Sequence, residues 1–285
     1  MYPYICHIYG PLYLNCYGLA AFCGILVFAY LVERDKNFII LFPKEKFSNF
    51  MFWSILVGIS GGRLLYLAED YASFDSVFDI FKIWQAGYSF LGGLITLLIF
   101  ISLYLKKLGV NILKFLDLIS IYCPLTHAIM RIGCFCAGCC HGMPTNMFWG
   151  VTYTHPDILI PDNFKFISIH PTQLYSSLIL FLIFCLMYFV YKQKFKIPGQ
   201  LASIYLMLAM LERFFVDFLR SDQEFFTLKI LNIFSMHQWI SLLIFVISCI
   251  WFIMVRYTRL RLWLCRVLTM NGINKILPYK LSDRY

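Results

Sequence analysis

Apolar residues gather in seven stretches, at about 12–32, 49–68, 88–105, 110–130, 173–190, 199–219 and 236–255. Each is near the roughly 20 residues that a helix needs to cross a bilayer. The connections between them alternate in charge. Those after the first, third and fifth stretches hold Arg34, Lys36, Lys44 and Lys46, then Lys106 and Lys107, then Lys192, Lys194 and Lys196. After the seventh come Arg256, Arg259, Arg261, Arg266, Lys275, Lys280 and Arg284. These are 16 of the 24 basic residues. The connection after the second stretch instead carries Glu69, Asp70, Asp75 and Asp79 against Lys82. Basic loops stay on the cytoplasmic side, so the pattern predicts an outer N-terminus and a cytoplasmic C-terminus, joined by an odd number of spans.

Composition sharpens this picture. Of 285 residues, 61% are hydrophobic, 19% aromatic and 14% charged. Soluble domains have roughly 45–50% apolar and roughly 25% charged residues, and lack the interior to hide this much apolar surface. A soluble enzyme, a disordered chain and a small secreted disulfide scaffold are excluded. The net charge of +9 belongs to the inner membrane surface and calls for no nucleic acid. The expectation is an all-α integral membrane protein of about seven transmembrane helices. Residues 1–255 form the membrane domain, with a small external insertion at about 132–172. Residues 256–285 form a basic cytoplasmic tail, a helix along the anionic inner surface.

Several polar residues stand where lipid forbids them. Arg63, Arg131, Arg213 and Arg220 fall in or beside apolar stretches. An arginine at mid-membrane costs at least roughly 2.5–3.5 kcal/mol, so it faces a cavity or a partner unless it snorkels to the headgroups. Asp217 follows Arg213 by four residues and precedes Arg220 by three, so a helix places all three on one face, with Asp217 able to pair with both. Guanidinium groups bind phosphate through a bidentate fork, and two of them in a membrane cavity suit a phospholipid headgroup. Gly61-Gly62-Arg63 and Ser89-Phe90-Leu91-Gly92-Gly93 serve either close helix packing or the approach of a lipid head. His170-Pro171-Thr172-Gln173-Leu174-Tyr175 brings His, Gln and Tyr to a helix start at the membrane mouth. Cys134, Cys136, Cys139 and Cys140, followed by His141, leave three states open. They form disulfides, stay as packed thiols, or hold a metal with His155 or His170.

Together these motifs resemble the prolipoprotein diacylglyceryl transferase family of bacterial inner membranes, over about residues 9–255. The residues that carry the resemblance are Tyr17-Gly18-Leu19, Gly62-Arg63-Leu64, Trp84–Leu94, Arg131–Val151, His170–Tyr175, Arg213–Asp222 and Gln238–Ser241. The resemblance implies transfer of the diacylglyceryl group of phosphatidylglycerol to the lipobox cysteine of a prelipoprotein signal peptide. It implies a multi-pass protein among the lipids of the inner membrane, with no metal and no organic cofactor. Arg131, Arg213 and His170 are its expected catalytic residues. Tyr17, Arg63, Ser89, Gly92, Gly93, Gly142, Gln173 and Tyr175 join Arg131 and Arg213 in binding phospholipid, and Asp217 and Arg220 support them by ion pairs.

The sequence also departs from the family pattern. Leu91 stands where the family has a histidine, Cys134 and Cys139 where it has Asn and Glu, Ala209 where it has Tyr, and Ser176 where it has Glu. Base duty is then absent or falls to His141, His170 or Tyr88. Three other readings compete: a phospholipid-binding paralogue with another acceptor, a thiol-redox protein built on Cys134–Cys140, and an anion transporter. The redox reading leaves Arg213 and His170–Tyr175 without a role, and the transporter reading meets no visible repeat.

Overall fold

The computed structural model describes residues 3–9, 12–69, 88–221 and 233–270. The acidic connection around Asp70, Asp75, Asp79 and Lys82, the end of the basic tail from residue 271, and Asp222 lie outside the described residues.

The chain opens as an antiparallel hairpin of β1 (Tyr4–Tyr9) and β2 (Leu12–Asn15). The first apolar stretch, expected as helix from about 12, therefore begins as strand. Helix α1 (Cys16–Glu33) starts only where the Asn15 side chain accepts a hydrogen bond from Gly18 N at 2.6 Å and caps it. Asp35 caps α2 (Lys36–Leu41) through Asn37 N at 2.8 Å, and α3 (Phe47–Glu69) and α4 (Phe90–Lys107) follow. Helix α5 (Ile112–Ala137) is capped by Asn111 and ends at Gly138, whose φ of 82° stops the helix in the left-handed region. Arg131, expected to open the external segment, lies inside α5, and that segment begins at Gly138.

The segment after α5 carries two short paired strands, β3 (Val151–Thr152) and β4 (Ser168–Ile169), over a small core of Tyr153, Ile158, Ile160 and Ile169. Helix α6 (Thr172–Cys185) continues through a π-helical turn (Leu186–Tyr191) into the short α7 (Lys192–Lys194). Helix α8 (Gln200–Asp217) starts at Gly199. There the Asp117 carboxylate, on α5, accepts from Gly199 N at 2.7 Å and from Ala202 N at 2.8 Å. Helix α9 (Met236–Met270) runs unbroken past residue 255, so the expected start of the tail falls within a continuous helix.

Helix α5 is the hub, packed against α1, α6 and α8, while α3 pairs with α4 and α8 with α9. Gly24 and Gly133 let α1 and α5 touch. A methyl group on Gly133 would meet Ala20 Cβ at 2.7 Å and Tyr17 Cα at 3.1 Å. Phe38, Phe42, Phe47, Phe50 and Phe115 are buried as one aromatic cluster, with rings as close as 4.7 Å. The outer faces are apolar instead. Phe22, Leu26, Leu98, Ile99, Leu178, Phe181, Leu243 and Ile247 are all exposed. Such a surface is at ease only in lipid. Among the described residues, five helices are long and apolar enough to cross a membrane: Cys16–Glu33, Lys44–Ala68, Ile112–Ala137, Thr172–Lys194 and Met236–Tyr257. The protein is a mostly helical, membrane-embedded bundle.

Candidate functional site

Polar side chains converge where α5 ends, α6 begins and α8 ends. On α8, Arg213 Nη2 pairs with Asp217 Oδ1 at 3.3 Å, with Asp217 buried. Ser235, just before α9, donates to Asp217 Oδ2. Gln238 bonds Ser235 and the Phe214 carbonyl, which ties the start of α9 to α8. This network sets the direction in which Arg213 points. Arg220, expected on the same helical face, lies beyond it, because α8 stops at Asp217. Arg220 follows in a β-bridge to Gly142, its N–H donating to the Asp217 carbonyl at 3.1 Å.

Arg131 contrasts with Arg213. Among the described residues it makes no hydrogen bond or ion pair, and its Nε is buried with no acceptor. The positive charges of Arg220 and Arg131 both act on Arg213. On α6, Gln173 Nε2 donates to the Cys139 carbonyl at 2.7 Å, and its Oε1 is buried with no donor. Buried polar atoms are nearly always satisfied, so an orphan marks a place kept for something else. Here an unused donor and an unused acceptor lie in one region, which suits a ligand carrying both an anionic oxygen and a hydroxyl.

Tyr175 OH accepts from Trp149 Nε1 at 2.7 Å and lies 3.2 Å from His170 Nδ1. Among the described residues, no side-chain hydrogen bond is made by His170 Nε2. His141 is engaged differently. It is buried, its ring tilted against Phe164 with centroids 4.9 Å apart, and its Nδ1 lies 2.7 Å from Ser221 Oγ. Glu212 on α8 is buried and accepts a hydrogen bond from Ser176 on α6. At the chain start, Tyr4 OH donates to Asp157 at 2.6 Å and fastens the β1–β2 hairpin to the segment after α5. That bond, more than burial, raises the Tyr4 hydroxyl above its ordinary value.

A family model described as prolipoprotein diacylglyceryl transferase matches residues 3–254. The chain belongs to this family. A phosphatidylglycerol–prolipoprotein diacylglyceryl transferase from Clostridium tetani is 32% identical over 91% of this chain and 100% of its own length. One from Neisseria meningitidis serogroup B is 30% identical over 86% of this chain and 92% of its own. One from Fervidobacterium nodosum is 32% identical over 85% and 82%.

Not every residue expected in the diacylglyceryl transferase site lies open to it. Arg63 is fully buried, with its guanidinium over the Tyr88 ring at 5.4 Å, so it does not snorkel to the headgroups. Gly92 and Gly93 press on α3. A methyl group on Gly92 would meet the Gly61 carbonyl oxygen at 2.5 Å, and one on Gly93 the Gly58 oxygen at 3.0 Å. Ser89 N donates to the Gly62 carbonyl at the same helix contact. Gly142 is wedged between the His170 and Leu219 backbones, where it positions Arg220 and His170. Tyr17 is half exposed on the first turn of α1. Leu91 is 55% exposed at the start of α4. Sequence reasoning missed Glu212, Trp149 and Ser235. The signal for Glu212 was present: Ser176 marked a missing carboxylate, and α8 supplies one directly opposite it.

Proposed function

We propose that this protein transfers the diacylglyceryl group of phosphatidylglycerol to the lipobox cysteine of prelipoproteins. The observation that carries the reading is the buried, unpartnered Arg131 Nε beside the ion-paired Arg213. The two arginines hold the lipid phosphate by charge-assisted hydrogen bonds. Gln173 Oε1 accepts from a hydroxyl of the headgroup glycerol. The acceptor's thiolate sulfur then attacks the diacylglyceryl carbon next to the phosphate oxygen. The C–S bond forms, the C–O bond breaks, and glycerol phosphate departs with the bonding electron pair. Arg131 and Arg213 stabilise the charge that grows on this leaving group. His170, through Nε2, is placed to take the thiol proton, with Tyr175 holding the ring.

In this reading seven helices span the bacterial inner membrane, α4 and α8 joining the five candidate spans. Residues 1–255 form the membrane domain. The N-terminus, the β1–β2 hairpin and the segment after α5 face outward, where secreted substrates arrive, and the basic tail from 256 faces the cytoplasm. The departure at Ser176 is accommodated, because Glu212 faces it and supplies the carboxylate from another helix.

The test is a transfer assay with the full chain in detergent, phosphatidylglycerol, and a lipobox peptide holding one cysteine. Mass spectrometry is expected to find a diacylglyceryl adduct on that cysteine, lost in Arg131→Ala and Arg213→Ala. Lipid binding without any adduct overturns the reading in favour of another acceptor.

A further inference from the structure

Cys134, Cys139 and Cys140 are brought together by the way α5 ends. Cys134 lies one helical turn beyond Arg131 and faces the same side. Gly138 stops the helix, its N–H donating to the Cys134 carbonyl at 2.9 Å, and turns the chain back with φ 82°. Cys140 then adopts φ 58°, a left-handed conformation unfavourable for a non-glycine residue. Two bonds from α6 pin this turn. Thr172 Oγ1 donates to the Cys140 carbonyl at 2.8 Å and Gln173 Nε2 to the Cys139 carbonyl at 2.7 Å. As a result the three Sγ atoms lie within 4.8 Å of one another, as free thiols.

We infer that Cys134, Cys139 and Cys140 form a three-thiolate site for a thiophilic cation of the Zn2+ class, with its fourth position open to the acceptor's thiol. Sulfurs bound to tetrahedral Zn2+ at about 2.3 Å stand about 3.8 Å apart, so the thiols need to close on the ion by no more than about 1 Å. Sulfur ligands select Zn2+ over Mg2+ and Ca2+. Zn2+ with three thiolates carries one negative charge, and Arg220 and Arg131 both act on Cys140. No fourth protein ligand completes the set among the described residues. His141 directs Nδ1 to Ser221 and packs its ring on Phe164. Three protein ligands with an open position are the mark of a catalytic rather than a structural zinc site.

The site answers the loss of the family's histidine at Leu91, and it rests on the transferase reading only for the identity of the acceptor. A thiol that binds Zn2+ gives up its proton, here to His170 Nε2, and stays a thiolate near neutral pH. That sulfur attacks the diacylglyceryl carbon, the C–O bond to phosphate breaks, and glycerol phosphate takes the electron pair. The thioether product is a weak ligand and leaves the metal. Gln173 links the two halves of the site, with Nε2 on the cysteine turn and Oε1 toward the headgroup.

The experiment uses the reduced, chelator-stripped full chain in detergent, with Zn2+ as the probe and Co2+ as its coloured substitute. One Zn2+ per chain is expected by elemental analysis. Cys139→Ser and Cys140→Ser are expected to weaken binding about 100-fold, and Cys136→Ser to leave it unchanged. A lipobox peptide with cysteine should shift the Co2+ spectrum, and the same peptide with serine should not. Zinc-free protein should transfer at least about tenfold more slowly and recover when Zn2+ is restored. Failure to bind Zn2+ overturns the inference, as does binding that ignores the cysteine variants, a disulfide within the trio, or unchanged transfer without zinc. Zinc-loaded protein that binds through the trio, senses the peptide and transfers nothing would overturn the transferase reading alone.

Discussion

The two ends of the α5 hub bury charge in opposite ways. Around Asp35 every charge is answered. Its carboxylate accepts from Tyr122 OH at 2.5 Å, Lys192 Nζ at 2.6 Å and Asn37 N at 2.8 Å, while Lys192 also lies 5.0 Å over the Tyr188 ring. The aromatic cluster of Phe38, Phe42 and Phe115 belongs to the same core. Around Arg131 the charges are not all answered. Arg131 Nε and Gln173 Oε1 are buried with nothing to bond, although Asp217 and Glu212 lie nearby and are committed to Arg213 and Ser176. A buried charge with a full set of partners fixes the fold, and one kept without partners is held for a ligand. The two ends should therefore fail differently when mutated.

The largest effect is expected at Arg131. Arg131→Ala should lower kcat/KM for phosphatidylglycerol by about 10³-fold, the scale for removing a stabiliser of developing anionic charge. Its melting temperature in detergent should hold or rise, because no protein partner is stranded. A clear fall in stability would break the comparison. Lys192→Ala is the counterpart. It strands the buried Asp35 carboxylate and should cost about 3 kcal/mol of unfolding stability, with little change in KM for the lipid. Chemical denaturation beside a lipid titration separates the two.

How legible each end was in the sequence follows from the physics of its signal. The helices were readable because apolar runs of bilayer length seldom arise outside a membrane. Arg131, Arg213, Gln173 and His170 stood out because lipid makes polar residues conspicuous. Pairings across the fold were not readable. Nothing local links Ser176 to Glu212 or Asp35 to Lys192, which are 36 and 157 residues apart. The end of α5 was misplaced because the glycine that stops it is Gly138, and Gly133 serves packing instead. The glycine pairs leaned toward helix packing and left lipid approach open, and the α3–α4 contact shows that packing is the face they fill. Strand β2 was hidden because an apolar stretch of four residues reads as helix or strand alike.

A smaller effect sharpens the site itself. Gln173→Met removes the unused acceptor and the bond to the Cys139 carbonyl while keeping the volume. Each hydrogen bond is worth about 1 kcal/mol. Transfer from phosphatidylglycerol should fall about fivefold, and a lipid whose headgroup lacks glycerol should be handled no worse than before. An equal loss for both lipids would show that Gln173 only supports the cysteine turn.

The smallest effect is at the Asp35 end and appears as a pH dependence. Burial alone would raise the Asp35 carboxyl. The hydrogen bonds from Lys192, Tyr122 and Asn37, together with the Lys192 charge, outweigh it and hold the group below its ordinary value of 3.8. A carboxylate depressed in the folded state stabilises the fold above its unfolded value and loses that contribution as pH falls through the folded one. Unfolding stability of the protein should thus be flat in this respect near neutrality and decline below about pH 4. Asp35→Asn should be less stable at pH 7 and should show a shallower decline on acidification. The Arg131 end makes the opposite forecast. Arg131 has no carboxylate partner to protonate among the described residues, so Arg131→Ala should leave the acid limb of the stability curve where the wild type has it. Parallel curves for all three proteins would show that Asp35 does not govern acid stability, and the contrast between the two ends would then rest on the ligand alone.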